Sequence, residues 1–399
     1  WLDRIENAKR RKAMLITTIA VNLGILVFFK YWNWGADTFM WLFGTKLGYA
    51  VPDIHMRVDL PIGISFFCFM SLSYVIDVYR RTIPACTSYL NYLTYISFFP
   101  HLVAGPIIRG RDLLPHLERD THLSAETGGE GLFLIAAGLF KKVVIGDYIA
   151  VNFVDRVYGD PSAFSAIEAL MAMYGYAVQV YCDFSGYSDV AIGSALMLGY
   201  RFKINFDAPY KAANLVEFWR RWHISLSTWL RDYVYIPLGG SRKGRGRKYF
   251  NVFFTMVVCG VWHGAAWTFV IFGACHGLVI AVTHYFHEVK AQQDMGKVAA
   301  KALLATVAFW GVSVKICQFY LLPGMAVGVT MLCIGGWAVA LIVWLIETYT
   351  SKKSSLALKF FAVFANFTFV SLSFAMFRAA SMEKAGAMYE RLLSGTFYT

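Results

Sequence analysis

The stretch EFWRRWHISLSTWLRDYVYIPLGGSRKGRGR, from Glu217 to Arg247, indicates the fold class because it concentrates charge within an otherwise apolar chain. Charged groups at bilayer depth are costly, so such a segment is expected to line a cavity or to lie along an interface. A second unusual stretch, CGVWHGAAW (Cys259 to Trp267), holds a single histidine within an apolar run. We expect the function to reside in these two segments.

Composition supports a membrane protein. The chain is 58% hydrophobic and 16% charged, whereas soluble domains are about 25% charged. Several windows are apolar over the ~20 residues that a membrane-spanning helix needs. The net charge of +12 is attributed to basic loops beside the membrane rather than to nucleic-acid binding. The seven cysteines form no C-x-x-C pair and are interpreted as buried hydrophobic residues, without a metal site.

Basic flanks predict the topology. The cluster before the first span and the loop 241–248 (SRKGRGRK) are both expected in the cytoplasm. Segments 86–108 and 205–240 have basic residues on both sides, which predicts broken re-entrant or in-plane helices. The chain starts at Trp1 without Met or a cleavable signal pattern, so we expect further residues before it. The predicted spans are about 13–30, 60–79, 131–151, 166–183, 186–200, 249–262, 264–286, 302–322, 325–347 and 357–377.

His263 is the first candidate for chemistry. A neutral imidazole near pH 7 can remove a proton from a hydroxyl, and Gly260 and Gly264 would let a substrate or backbone approach closely. The alternative is a histidine that hydrogen-bonds to a neighbouring helix. His276 follows thirteen residues later. On one straight helix it would lie about 20 Å from His263 and on the opposite face, so a structural role is expected unless the helix breaks.

His223 is the second candidate. If 215–233 is helical, Trp219, His223 and Ser227 share one stripe. The nearby Arg220, Arg221 and Arg231 could then hold an anionic group. The alternative is an interfacial helix with aromatic residues and arginines at the membrane surface.

Other catalytic patterns are missing. YCDFSGYSD contains Asp183 and Ser185, and Gly186 could break a helix there, but the chain has no G-x-S-x-G pattern. It also has no H-E-x-x-H pattern, no nucleotide-binding glycine motif and no internal repeat. ATP-driven transport and NAD chemistry are therefore unsupported.

Longer segments resemble a known family. The run NFDAPYKAANLVEFWRRWHISLSTWLRDYVYIPLGGSR, followed by CGVWHGAAWTFVIFGACHG, is similar to the core of the membrane-bound O-acyltransferase (MBOAT) family. LPIGISFFCFMSLSYVIDVYR, ISFFPHLVAGPIIR, YCDFSGYSDVAIGSALMLGYRF and FAMFRAAS (Phe374 to Ser381) resemble its bacterial polysaccharide branch, typified by the alginate O-acetylation membrane protein. Segment 287–356 matches no family motif.

The resemblance implies one all-α domain over 1–399, with core motifs in 60–286 and variable spans in 287–399. It implies about ten or eleven spanning helices of ~20 residues, plus re-entrant helices, around a central tunnel. His263 and His223 would be catalytic, and Arg220, Arg221 and Arg231 would bind the donor. Candidate tunnel-lining residues are Trp262, Trp219, Ser227, Asp183, Tyr187 and His101.

The implied reaction moves an acyl group, most simply acetyl from acetyl-CoA, across the bacterial inner membrane toward an exported polysaccharide. A periplasmic or cell-surface transferase would be the partner. No bound cofactor or metal is expected. Two alternatives remain open, which are a transporter or channel that uses the histidines as a proton relay, and D-alanyl transfer to teichoic acid.

Overall fold

The computed structural model describes residues 2–102, 105–119, 121–288, 295–319, 323–349 and 356–394. Within these ranges every regular element is helical, which confirms the all-α prediction. The chain groups into two compact units, Trp1–Ala137 with Tyr187–Ile204, and Gly138–Gly186 with Asn205–Thr399. The expectation of a single domain over 1–399 stays a prediction.

The first unit begins with one long helix. Helices α1 (Ala8–Leu26) and α2 (Trp32–Met40) are joined by a π-helical turn, and a second π-helical turn carries the helix to Lys46. Between the spans predicted at 13–30 and 60–79, the sequence predicts a loop over 31–59, which is wrong over its first half because the helix continues to Lys46. Asp37 and Lys46 suggested a loop, but isolated charges do not end a helix whose other residues continue the apolar surface. The helices that follow are α3 (Ile64–Tyr79), α4 (Tyr89–Ser97), α5 (Gly110–Leu117) and α6 (Ala125–Leu139).

Segment 86–108 is broken, as its prolines predict. Helix α4 has nine residues and ends at Ser97, and a 3₁₀ turn, Phe99–His101, contains Pro100. Nine helical residues extend about 14 Å, far less than the ~30 Å hydrocarbon core. This segment cannot cross a bilayer as one helix.

A single helix, α8 (Ala166–Met197), follows the five-residue α7 (Asp155–Gly159) and replaces the two spans predicted at 166–183 and 186–200. The expected break at Gly186 is wrong. A Cβ at Gly186 would lie 2.6 Å from the Gly138 carbonyl oxygen. The glycine permits close backbone contact instead of breaking the helix.

The second unit contains a tight helical hairpin. Helices α11 and α12 meet through Gly260, Gly273 and Gly277, where an added Cβ would lie 2.2–3.0 Å from facing backbone. This is the small-residue packing common in membrane helices. Separate helices are present where the spans 249–262 and 264–286 were predicted, and of the two only Trp267–Glu288 is long and apolar enough to cross a membrane. The helices of this unit after α8 are α9 (Leu215–Arg221), α10 (Ile224–Leu230), α11 (Arg245–His263), α12 (Trp267–Glu288), α13 (Met295–Phe319), α14 (Pro323–Tyr349), α15 (Leu356–Arg378) and α16 (Met382–Leu393).

Four helices in the described part of the chain are long and apolar enough to cross a membrane, namely Ala8–Lys46, Trp267–Glu288, Met325–Leu345 and Leu356–Arg378. Ile64–Tyr79 and Leu303–Lys315 are shorter apolar helices. The total of about ten or eleven spans stays a prediction. Segment 205–240 contains the seven-residue helices α9 and α10, which agrees with the expected broken segment. The last residues of the span predicted at 302–322 lie outside the described residues.

Candidate active site

His223 lies at a backbone junction between α9 and α10, with left-handed torsion angles φ 44° and ψ 57°. This conformation is uncommon outside glycine, and it persists only where the surroundings hold it. Two main-chain hydrogen bonds do so. Ile224 N donates to Asn205 O at 2.9 Å, and Asp207 N donates to Arg221 O at 2.9 Å. The segment that begins at Asn205 therefore fixes the turn that carries His223.

The Asn205 side chain fixes the protonation pattern of His223. The main-chain N–H of Ser225 donates to Asn205 Oδ1 at 3.1 Å, and the Ser225 hydroxyl donates to the same atom at 2.9 Å. These donors identify that atom as the amide oxygen. His223 Nδ1 lies 3.2 Å from it. Because an amide oxygen only accepts, Nδ1 carries the proton and Nε2 carries the lone pair.

His223 Nε2 is buried and has no hydrogen-bond partner among the described residues. The whole side chain is inaccessible, and the Phe184 ring packs edge-on against the imidazole at 4.6 Å between centroids. His223 lies outside the four candidate spans, and burial lowers the pKa of its imidazole well below the usual value. A neutral ring with a buried, unpartnered lone pair can accept a proton from a substrate.

His263 lies at the break in the hairpin. It is the last residue of α11, is half-buried, and is followed by the three residues that connect to α12. Its ring contacts Trp262 at 4.9 Å and Phe377 at 4.9 Å between centroids. The His223 ring contacts the same Trp262 at 6.2 Å. The two predicted catalytic histidines are therefore brought together around one indole.

His276 has a different environment. Its Nδ1 accepts a hydrogen bond from Trp219 Nε1 at 3.1 Å. Its Nε2 lies 2.8 Å from Ser373 Oγ, which itself donates to Val370 O. Nε2 is therefore the protonated nitrogen, and both ring nitrogens are satisfied. This arrangement agrees with the structural role expected for His276.

A cavity of about 380 Å³ lies beside these residues in the second unit. Its lining residues do not include His223 or His263. They do include Trp219, which bonds to His276, and Met256, which lies about two helical turns before His263. Its polar lining includes Arg220, Ser227, Arg231, Tyr235, Ser241, Lys248 and His284.

Arg220 and Arg231 lie on this cavity as predicted for donor-binding residues, whereas Arg221 does not. Arg221 donates to Glu217 Oε1 through Nε at 3.1 Å and Nη2 at 2.8 Å. Arg231 pairs with Asp232 at 2.8 Å. No carboxylate in the described part of the chain pairs with Arg220. It is the cation of this set that is free to bind an anionic ligand.

The remaining tunnel candidates have separate environments. Trp219 and Ser227 line the cavity, whereas Trp262 packs between the histidine rings described above. Asp183 forms an ion pair with Lys142 at 3.1 Å. In the first unit, Tyr187 is exposed, and His101 is buried without a hydrogen-bond partner on either ring nitrogen.

Asn205 was missed by the sequence interpretation. It precedes His223 by 18 residues, and no short-range pattern links them. Lys248 belongs to the basic stretch 242–248, which was the weaker candidate for donor binding because the positive-inside rule already explained its charge. The loop predicted at 241–248 is wrong over its second half, since α11 begins at Arg245.

Comparison with known proteins shows the family of the chain. The model of the membrane-bound O-acyltransferase family matches residues 81–322. The chain belongs to this family. The match includes both histidines, the Asn205 segment and the residues that line the cavity. It ends within the region 287–356, where no motif was recognised.

The relatives of this MBOAT chain include proteins named as O-acetylating and D-alanylating enzymes. The probable alginate O-acetylase AlgI of Pseudomonas putida is 45% identical over 277 residues, which are 69% of this chain and 56% of that protein. The peptidoglycan O-acetyltransferase of Helicobacter pylori is 36% identical over 69% of this chain and 56% of its own length. The teichoic acid D-alanyltransferase of Bacillus subtilis is 26% identical over 57% of this chain and 60% of its own length. The chain thus spans just over half the length of these relatives.

Proposed function

We propose that this chain is a membrane O-acyltransferase that takes an acetyl group from a cytoplasmic thioester and transfers it toward the hydroxyl of an exported polysaccharide. The observation that carries the proposal is the buried lone pair on His223 Nε2, close to His263 at the helix break. The resemblance to alginate and peptidoglycan O-acetylating enzymes supports the same reaction.

The proposed chemistry is a direct acyl transfer. An acceptor hydroxyl gives its proton to a histidine as its oxygen attacks the thioester carbonyl. The new C–O bond forms, the C–S bond breaks, and the proton passes to the departing thiolate. His263 is proposed as the base, and His223 as a second base or as the group that orients the reactants. Trp262 keeps both rings in one apolar environment, where a proton transfer is little disturbed by bulk water.

The donor is proposed to enter the cavity lined by Arg220, Arg231 and Lys248. CoA and carrier-bound pantetheine carry phosphates, and a guanidinium binds phosphate with two parallel hydrogen bonds. Arg220 supports this best because no carboxylate in the described ranges neutralises it. Acetyl-CoA is the proposed donor, since the acetylating relatives are more similar to this chain than the D-alanylating one.

The proposed membrane location follows from the basic segments, and the proposed partner follows from the reaction. The protein is proposed to cross the bacterial inner membrane several times, with Arg10 and the basic loop at Arg245 in the cytoplasm. A periplasmic or cell-surface transferase is the proposed partner that receives the acyl group or acts beside this chain. The polytopic fold alone does not favour a transporter over an acyltransferase. The Lys142–Asp183 ion pair does not favour a transporter either.

The test measures donor chemistry directly. Membranes that contain the full-length protein are supplied with labelled acetyl-CoA and with alginate or peptidoglycan fragments. Release of free CoA thiol together with alkali-labile label on the polymer is the expected result. Solute flux without thiol release, with every donor offered, would support the transporter alternative and overturn the proposal. Turnover of a D-alanyl carrier in preference to acetyl-CoA would reassign the donor.

A further inference from the structure

An apolar groove lies on the outer side of the helical hairpin, apart from the cavity described above. Its volume is about 370 Å³, which is within the ~300–1,000 Å³ typical of ligand sites. Its lining residues come from α11, α12 and α13, and they are Tyr249, Phe250, Phe253, Leu278, Ala281, Val282, Tyr285 and Ala305. Apart from the two tyrosine hydroxyls, these side chains offer only hydrocarbon and aromatic surface.

A cation lies at one end of this groove. Arg247, in the first turn of α11, lies over the ring of Phe250, with its guanidinium carbon 5.3 Å from the ring centroid. Arg242 and Lys243 are exposed in the turn that precedes α11. Among the described residues, no carboxylate pairs with any of these three cations.

Glu288, which bonds to the groove-lining Tyr249, is already neutralised. Glu288 forms an ion pair with Lys248, accepts from the Tyr249 hydroxyl at 2.9 Å, and lies 3.8 Å from Arg245 Nε. Two cations therefore share this one carboxylate. Within the described ranges, Arg247 therefore keeps an unpaired charge beside Phe250 at this end of the groove.

We propose that this groove is a binding site for one anionic phospholipid, with an acyl chain between α11, α12 and α13 and its phosphate beside Arg247. The occupant is chosen by charge complementarity. A hydrocarbon chain fits the apolar lining, and a negatively charged headgroup fits the Arg247 guanidinium, with the basic residues Arg242 and Lys243 preceding it in the chain. A zwitterionic lipid fills the groove equally well but gains little from those cations. The proposal is independent of the acyltransfer reaction.

The test compares lipids with identical chains. The purified full chain is studied by native mass spectrometry after exchange with phosphatidylglycerol or phosphatidylcholine. The wild type is expected to retain phosphatidylglycerol at least tenfold better. Each surface cation contributes about 1 kcal/mol to binding an anionic membrane lipid, so Arg247→Gln is expected to lower this preference about fivefold. Arg10→Gln is the matched control, since it removes one exposed cation outside the groove and is expected to preserve the preference.

Two further variants test the apolar part. Ala281→Phe and Ala305→Phe, on different helices, fill the groove and are expected to reduce bound phosphatidylglycerol several-fold, with folding checked by monodispersity. Retention of phosphatidylglycerol by both folded variants overturns the proposal. Equal retention of the two lipids by the wild type also overturns it. The proposal is also overturned if inorganic phosphate displaces bound phosphatidylglycerol as effectively as added phosphatidylglycerol does, because the apolar groove would then contribute nothing to binding.

Discussion

Asn205 Oδ1 lies 3.2 Å from His223 Nδ1 and accepts two further hydrogen bonds from Ser225. One amide oxygen thus ties the imidazole to the turn that carries it. The same oxygen requires the proton to be on Nδ1, which leaves the lone pair on the buried Nε2. In the proposed reaction, Asn205 would therefore position His223 for proton transfer without touching the substrate itself.

Replacement of Asn205 by Asp tests this positioning role. The change keeps the shape but puts a carboxylate beside Nδ1, which stabilises the imidazolium and raises the pKa of His223 from its lowered value. If neutral His223 is required, the acid limb of the kcat/KM profile moves to higher pH. The pH–rate profile of acetyl transfer measures this shift.

Asn214→Asp is the matched control for this prediction. Asn214 caps α9 through its side-chain oxygen, and Asp caps a helix about as well as Asn. Its pH profile is expected to match that of the wild type. Identical profiles for the Asn205 and Asn214 variants would show that Asn205 does not tune His223.

Alanine substitutions test the roles of the two histidines. His263→Ala and His223→Ala are each expected to lower kcat about 10²–10⁴-fold, the usual cost of removing a general base. Since both rings contact Trp262, the double variant is expected to be little worse than the poorer single variant. Acetyl transfer per folded protein is the measurement. Near-normal transfer by folded His263→Ala would remove that residue from the mechanism.

Adjacent arginines give a sharp test of donor binding. Arg220 lines the cavity, whereas Arg221 is paired with Glu217 outside it. Arg220→Ala is therefore expected to raise the KM for acetyl-CoA about tenfold with kcat little changed, as for a contact made equally in the ground and transition states. Arg221→Ala is the control and is expected to leave this KM unchanged. If Arg221→Ala raises KM and Arg220→Ala does not, the donor lies elsewhere.

The Trp219–His276 hydrogen bond predicts a stability coupling. His276→Leu leaves the buried Trp219 N–H without its acceptor, which costs about 1–3 kcal/mol. The thermal midpoint in detergent is expected to fall. Trp219→Phe removes the same donor, so the double variant should lose less than the sum of the single losses. Additive losses would mean that this bond does not hold the bundle together.

Sequence reasoning selected the two histidines that the structure brings together around Trp262, but it could not assign every role. The W-H-G stretch predicted a break at His263 because glycine and histidine interrupt an apolar run. Gly186 also suggested a break in a helix, yet it permits close contact with the backbone of Gly138. Only the position of the facing backbone shows whether a glycine breaks a helix or permits such a contact. Arg220 and Arg221 are adjacent and carry the same charge, so charge alone does not distinguish their roles. Glu217, four residues before Arg221, was a visible signal for the observed pair. Asn205 gave no such signal, since its partnership with His223 is a tertiary contact.

The hairpin that carries His263 depends on glycine at its crossing. A Cβ on Gly260 would lie 2.2 Å from the carbonyl oxygen of Phe269, so Gly260→Ala must push α11 away from α12. Overpacking of this kind costs about 1–3 kcal/mol, and movement at α11 displaces His263 three residues later. Gly260→Ala is therefore expected to lower both the thermal midpoint and acetyl transfer. Gly311→Ala is the control, because nothing lies within 4 Å of its added Cβ and alanine favours the helix by about 0.4–1 kcal/mol. Equal midpoints and equal activities for the two variants would show that close contact at Gly260 is not needed to hold His263 in place.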